Sequence, residues 1–341
     1  MGGILKSQIP NPKFQIRLHS LSSRLSEWWR DDSLTFDWKA GLACIVGGLL
    51  LAPLAYLLPM SGWNWLRCFH DPANPCGEVP WVAWIIPLLS KDRWRAELAV
   101  VNGLTAMTAA VSVAREARNW RDRALCIAMA IVNPFVFILA WVGQIDALGL
   151  LGLMLMPLGA PLMLAKPHVL GWAALSRKGW ALIAVFFLAL SFVVWGWWTP
   201  HVASPGGMIR TSSPIAMGWG TVGWHVLVIG LVMLVFTRRD PIQLAAVGAL
   251  LTPYLLPYHL VVLLPALGRV NGWRRWALWG AAWLAGLTTA IWVYHIAAVP
   301  GFGLWQWSDG PEPWYLPLTR HLGLIFPVMV WGFLRAEARN P

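Results

Sequence analysis

Long apolar runs recur along this chain, separated by short polar or basic stretches. Eight of them reach the length of about 17 residues or more that crosses roughly 30 Å of hydrocarbon. They cover residues 39–60, 97–114, 125–143, 147–165, 180–198, 221–237, 276–296 and 316–334. A further apolar stretch, 242–268, contains Pro253 and Pro257 and predicts a broken hairpin. None of the runs shows the alternation of barrel strands.

The pattern therefore predicts an all-α, polytopic integral membrane protein with about 8–10 transmembrane helices, including broken or re-entrant segments. Composition agrees, because 58% hydrophobic and 12% charged residues exclude an ordinary soluble domain. We expect a cytoplasmic N-terminal tail over 1–37, one transmembrane domain over 38–335 and a short cytoplasmic C-terminus over 336–341. Within the tail, 13–31 has an amphipathic, basic pattern that suits a helix on the membrane surface or a contact with a partner protein.

The positive charge is distributed unevenly across the predicted membrane. Of the 26 Lys and Arg residues, the spans place 20 on the side of both termini and 6 on the other. The positive-inside rule then predicts a multi-pass protein of the cell membrane with both termini in the cytoplasm. This distribution explains the net charge of +11 without a nucleic-acid partner.

One carboxylate stands out from the others. Asp146 lies between two apolar runs, directly after Gly143, Gln144 and Ile145. A carboxylate at membrane depth is costly unless it faces water, substrate or protein, so Asp146 predicts a functional site. The alternative is that Gln144 and Asp146 only cap the next helix.

Further polar side chains fall in the outer loops and at two breaks: the stretch 147–178, which is too long for one span and too short for two, and the proline-broken stretch 242–268. The breaks carry Lys166, His168, Tyr254, Tyr258 and His259. We expect both breaks to meet the first outer loop around one cavity in the outer half of the membrane, because buried polar groups need partners. Asp146 and His259 should face that cavity.

The outer loops supply the remaining candidates. Asn64, Asp71 and Glu78 lie in the first, and Arg210 lies in the second, on the cation-poor side. Cys68 and Cys76 share the first outer loop and allow a disulfide there, whereas their spacing does not predict a metal site. No motif requires a cofactor, and a divalent metal ion stays an open alternative.

Four elements in this order resemble a family of polytopic glycosyltransferases with the GT-C architecture, which use polyprenyl-phosphate sugars and include bacterial mannosyltransferases. Gly143-Gln144-Ile145-Asp146 is similar to the family's GQ(V/I)(D/N) signature. The other three are the Pro-aromatic segment 79–84, the Lys-Pro break 165–168 and the proline-broken helix 251–259. The resemblance covers roughly residues 60–270.

The resemblance implies an inverting hexosyl transfer on the outer face, with a polyprenyl-phosphate sugar and membrane lipid as partners. Asp71 or Glu78 would act as the base, with Asp146 as a further catalytic carboxylate. Gln144 and His259 would position sugar or acceptor, and Arg210 and Lys166 would hold phosphate. The other expected substrate contacts are Asn64, His168, Tyr254 and Tyr258.

The chain departs from this family at Asn64, where a catalytic Asp is expected. An amide cannot take a proton from an acceptor hydroxyl as a carboxylate does. The alternative function is therefore that of an inactive relative, serving as a structural or accessory subunit of a larger membrane complex. A transporter is less favoured, because no inverted repeat is evident.

The expected orientation is directly testable. A reporter fused after Pro341 should be accessible only from the cytoplasm, because the cation-rich side is retained there. Labelling of that reporter from outside intact cells would reverse the topology and move the candidate site to the wrong face.

Overall fold

A computed structural model describes residues 37–58, 60, 81–82, 93–198, 216–237, 239–298 and 315–338. Within these ranges the chain is helical and contains no strand. In chain order the α-helices are α1 (Trp38–Tyr56), α2 (Trp94–Glu116), α3 (Trp120–Ile131), α4 (Pro134–Val142), α5 (Leu148–Met154), α6 (Ala160–Met163), α7 (Lys178–Trp195), α8 (Trp219–Val222), α9 (Trp224–Phe236), α10 (Pro241–Leu251), α11 (Ala266–Arg269), α12 (Trp273–Ala298), α13 (Tyr315–Gly323) and α14 (Ile325–Glu337). Two 3-10 helices, Leu170–Ser176 and Pro257–Leu263, complete the set.

Several of these helices match membrane dimensions. Among the described residues, α1, α2, α7 and the stretch Pro317–Glu337 are long and apolar enough to cross a membrane. The pair α3 and α4 makes up to five spans if it counts as one bent span. The all-α, multi-pass prediction is confirmed at this level; the described residues contain four continuous spans, or five with the bent pair, and the figure of 8–10 helices including broken segments stays a prediction.

Some of the apolar runs are divided by helix breaks. The expected span 125–143 bends by 44° between α3 and α4. Asn133 forms the break: its side chain accepts a hydrogen bond from the Phe135 N–H at 3.0 Å, and Pro134 starts the next helix. Pro is favoured at the first position of a helix, and because it lacks an N–H it cannot continue the hydrogen bonding of the preceding helix.

The expected span 147–165 is also wrong as one helix. It forms α5 and α6, of 7 and 4 residues, and a seven-residue helix covers only about 10 Å. The chain folds back between them: a Cβ atom added to Gly159 would lie 2.0 Å from the Gly152 carbonyl oxygen. Glycine at both positions permits this approach of backbone to backbone.

Helices α1 and α2 pack with their backbones in contact. A Cβ atom on Gly103 would lie 2.2 Å from the Gly48 carbonyl oxygen, and one on Gly48 would lie 2.8 Å from the Leu104 Cα. Small residues at such crossings are how membrane helices gain van der Waals contact. The helices are antiparallel, because Arg115 at the end of α2 pairs with Asp37, the N-cap of α1, at 3.1 Å.

Ion pairs gather at the end of the bundle where this Arg115–Asp37 pair lies. Arg269 contacts Glu116 at 2.7 Å and also pairs with Asp240, so it joins α2, α11 and the start of α10. Burial alone lowers the pKa of the Arg269 guanidinium, but the two carboxylates outweigh it and raise the pKa above its ordinary value. Arg269 therefore stays charged and bridges both acids.

Two more clusters extend this end, which we call the basic end. Arg275 contacts Asp122 at 2.6 Å, and Glu337 accepts from Arg274 at 3.1 Å and lies 3.6 Å from Arg118. These cations are among those that the charge count placed on one side. That this side is cytoplasmic stays a prediction.

The close contact between α1 and α2 predicts that one added methyl group lowers the stability of the protein substantially. Gly103→Ala should lower the free energy of unfolding by about 1–3 kcal/mol, because backbone atoms must separate to admit the Cβ. Thermal unfolding in detergent measures this loss. The control is Gly280→Ala in α12, where a Cβ meets nothing within 4 Å and the change should be neutral or slightly stabilising. Equal melting of both variants would contradict the close contact.

Candidate functional site

Asp146 is placed by the way α4 ends. Gly143 takes the left-handed conformation with φ 76°, and the N–H groups of Gly143 and Gln144 both donate to the Leu139 carbonyl. This C-terminal turn redirects the chain at once. The N-cap of α5 is Ala147, and no side chain caps that helix. The capping alternative for Gln144 and Asp146 is therefore wrong.

The carboxylate of Asp146 lies beside the imidazole of His259. Asp146 Oδ1 is 3.6 Å from His259 Nε2, and both residues are 3% exposed. His259 belongs to the 3-10 helix Pro257–Leu263, more than a hundred residues away in sequence. Asp146 and His259 therefore lie together, as expected, and that they face a common cavity stays a prediction.

His168 extends this pair to three groups. Its Nε2 lies 3.3 Å from His259 Nδ1, and the two rings meet edge to face with centroids 5.0 Å apart. A second contact defines the proton arrangement, because the Leu256 N–H donates to the same His259 Nδ1 at 3.3 Å. His259 must therefore carry its hydrogen on Nε2, directed toward Asp146, and His168 must donate from its own Nε2.

This arrangement leaves an acceptor at one end. With Nε2 as the donor, neutral His168 has a lone pair on Nδ1, and that buried atom has no hydrogen-bond partner among the residues that the structure describes. The chain of groups runs from His168 Nδ1 through His259 to the Asp146 carboxylate. The free lone pair on His168 Nδ1 can accept a hydrogen bond from a hydroxyl group.

The broken segment around Pro253 is supported by neighbouring backbone. Thr252 donates its hydroxyl hydrogen toward the carbonyls of His168 and Gly248, at 2.7 and 2.8 Å. This bond ties the end of α10 to the Lys-Pro break. The sequence reading missed Thr252, although a Thr at a helix end that can bond back four residues is a recognisable signal.

A second support comes from residues 216–220, which precede and begin α8. Met217 N–H donates to Leu255 O at 2.7 Å, and Gly220 N–H donates to Pro253 O at 3.0 Å. Gly218 must lack a side chain here, because a Cβ atom would lie 2.3 Å from the Pro253 oxygen. Non-helical backbone at membrane depth persists only where such partners satisfy it.

The length of α10 gives the depth of the cluster. This helix starts after Asp240 at the basic end and ends at Leu251, just before Thr252, and its 11 residues span about 16 Å. The cluster therefore lies about 16 Å from the start of α10, roughly half of the ~30 Å thickness of a hydrocarbon layer.

Other predicted site residues surround the cluster. The Tyr258 ring packs edge to face on His259 at 4.9 Å, and Tyr254 is half-buried in the adjoining turn. Gln144 is buried, and its Oε1 atom lacks a hydrogen-bond partner within the described ranges. Trp81, from the Pro-aromatic segment, donates its indole N–H to Pro161 O at 2.9 Å.

Lys166 is an exception to the charge count. Its charge acts on both His168 and His259, so it lies near the cluster and not among the cations of the basic end. The reason is the fold-back at Gly159, which returns the chain toward His168 before Arg177 reaches the basic end. The count assumed one continuous span here.

Four candidates, Asn64, Asp71, Glu78 and Arg210, lie outside the described residues, as do Cys68 and Cys76. Within the described part, no group of three or more His, Cys, Asp and Glu side chains could hold a metal ion. Cys44 and Cys126 are buried free thiols.

Comparison with known proteins adds no identification. No family model, curated protein or solved structure matches this chain. The site must therefore be interpreted from its own geometry.

The contacts of the two imidazoles predict their tautomers. In ¹⁵N spectra of histidine-labelled protein at neutral pH, His259 should show a protonated Nε2 and an unprotonated Nδ1, since Leu256 donates to the latter. His168→Asn identifies the second signal, and His225→Asn, outside the cluster, should leave both unchanged. A proton on His259 Nδ1 would contradict the arrangement.

Proposed function

We propose that this chain is an integral membrane glycosyltransferase that transfers a sugar from a polyprenyl-phosphate donor to an acceptor on the outer face of the cell membrane. In this proposal the basic end and both termini face the cytoplasm. The observation that carries it is the buried group of Asp146, His259 and His168, brought together from three separate helix breaks.

The cost of this cluster argues for a role beyond packing. A buried carboxylate next to two imidazoles destabilises an apolar bundle unless it interacts strongly with something. Sugars offer the matching chemistry, because their hydroxyl groups donate hydrogen bonds to carboxylate and imidazole acceptors. The resemblance of the GQID, Lys-Pro and Pro-aromatic segments supports the same class.

The reaction would be an inverting displacement at the anomeric carbon. The acceptor hydroxyl loses its proton to a carboxylate, Asp71 or Glu78, as its oxygen forms the new C–O bond. The bond from the anomeric carbon to the donor phosphate breaks, and its electron pair leaves with the polyprenyl phosphate. Cationic groups, Lys166 and Arg210, stabilise the negative charge on the departing phosphate.

In this scheme the cluster would orient the sugar. Asp146, Gln144 and His259 accept or donate hydrogen bonds to the sugar, and His168 Nδ1 offers the acceptor described above. Tyr254, Tyr258 and Asn64 complete the expected contacts. Holding the sugar rigidly places its anomeric carbon in line with the acceptor oxygen.

The decisive experiment compares amide variants of the purified protein with polyprenyl-phosphate sugars as donors. Asp146→Asn should reduce turnover by about 100-fold, the cost of misplacing reacting groups by about 1 Å. Of the two variants Asp71→Asn and Glu78→Gln, the one that loses more turnover identifies the residue that acts as the base. Transfer is measured with radiolabelled sugar, and melting temperatures show whether each variant is folded.

The matched control is Asp122→Asn at the basic end, which keeps an acceptor for Arg275 and should retain activity. Full transfer by Asp71, Glu78 and Asp146 variants alike would refute the mechanism. Absence of transfer by the wild type with every donor, together with stoichiometric co-purifying partners, would support the structural-subunit alternative.

A further inference from the structure

Two histidines outside the Asp146 cluster join the start of α9 to α13. His225 is the second residue of α9, and His321 lies in the last turn of α13. Their imidazole planes are nearly parallel, 4° apart, and the ring centroids are 5.5 Å apart. Both side chains are exposed on the surface of the bundle, and the proposed reaction uses neither of them. The pair is therefore a second group of histidines that needs its own explanation.

The hydrogen bond of His321 decides which of its nitrogens is free. Its Nδ1 lies 2.6 Å from the Pro317 carbonyl oxygen, and because that oxygen can only accept, Nδ1 must carry the hydrogen. The neutral ring then keeps a lone pair on Nε2. Histidines that bind metal ions almost always donate their other ring N–H to a carbonyl or a carboxylate, since this bond fixes the tautomer and orients the ring. His321 therefore has the arrangement of a metal ligand.

His225 has an open nitrogen as well. The edge of its ring with Nδ1 and Cε1 faces Gly223, where an added Cβ atom would lie 2.9 Å from Nδ1. Nε2 lies farther from that backbone. Within the described residues the ring contacts His321 and makes no hydrogen bond. Its Nε2 atom is therefore available to a ligand, and the ring can turn to direct it.

The separation of the rings fits one shared ion. An imidazole nitrogen binds Zn²⁺ at about 2.0–2.1 Å and lies about 1.1 Å from the centre of its ring, which puts each centroid about 3.2 Å from the ion. Two such rings at the tetrahedral angle have centroids about 5.2 Å apart. The observed distance of 5.5 Å is close to this value. A small turn of the His225 ring therefore brings both Nε2 lone pairs to one point.

The ligand atoms select the class of ion. Mg²⁺ and Ca²⁺ prefer oxygen ligands, whereas Zn²⁺ and Cu²⁺ bind imidazole nitrogen well. Among the residues that the structure describes, no third His, Cys, Asp or Glu side chain completes a site with this pair. Water would then occupy the remaining positions around the ion.

We propose that His225 and His321 bind one Zn²⁺ ion through their Nε2 atoms. The ion would fasten the start of α9 to α13. The segment just before α9 supports the broken helix, because the Gly220 N–H donates to the Pro253 carbonyl at 3.0 Å. Metal binding would therefore hold this support in place from its other end. The inference is independent of the proposed transferase activity, since neither histidine belongs to the Asp146 cluster.

The test is a calorimetric titration of the full chain with ZnCl₂, in detergent and without a histidine tag. The variants H225N and H321N should each weaken Zn²⁺ binding by at least about 10-fold. Losing only a hydrogen-bond partner of a metal ligand already costs about 10–100-fold in affinity, and these variants remove a ligand itself. Zn²⁺ should also raise the melting temperature of the wild type and not that of either variant, because binding to the folded state stabilises it.

The matched control is H19N in the N-terminal tail, which should bind Zn²⁺ as the wild type does. Cu²⁺ added to the wild type gives a readout that needs no variant: its electron paramagnetic resonance spectrum should show coupling to two imidazole nitrogens. Unchanged Zn²⁺ affinity in H225N and H321N would overturn the proposal. So would an equal loss in H19N, or a Cu²⁺ spectrum with fewer than two imidazole nitrogens.

Discussion

The requirement that backbone polar groups find partners inside an apolar layer governs this structure. Each break in a helix leaves backbone N–H and C=O groups without their helical hydrogen-bond partners. Lipid acyl chains cannot supply replacements. At Pro253 the chain meets this requirement by bringing Met217 and Gly220 against the freed carbonyls and by bonding Thr252 to His168. The breaks are therefore fixed in place by one another, and the side chains that they carry become neighbours.

That mutual support explains why the polar cluster is so compact. Asp146 follows the turn at Gly143, His168 follows Pro167, and His259 follows Pro257. Each sits just beyond a point where helical hydrogen bonding stops. Because contacts between these segments hold the three points together, the backbone itself places the two imidazoles and the carboxylate next to one another. Preorganisation of this kind is what a binding site in a low-dielectric environment requires.

Sequence patterns were sufficient for some parts of this architecture and not for others. The position of Asp146 between apolar runs and the prolines near His259 were enough to predict that both face a common place. The bend at Asn133 and the fold-back at Gly159 were missed, because hydropathy averages over a local turn. Pairings such as Arg269 with Glu116 join residues 153 positions apart, which no local pattern encodes. The position of Lys166 near the cluster was also missed, because the charge count presumes uninterrupted spans.

The backbone contact between Gly48 and Gly103 has a consequence for the segment that joins α1 to α2. The two antiparallel helices form a rigid pair, so the points where the chain leaves at Tyr56 and returns at Trp94 are fixed by the pair itself. The entropy of closing a loop between fixed points grows only with the logarithm of its length, by about 0.6 kcal/mol per doubling. Outside Trp81 and Val82, which are buried against the bundle, a change of length in this connection therefore costs little in closure entropy.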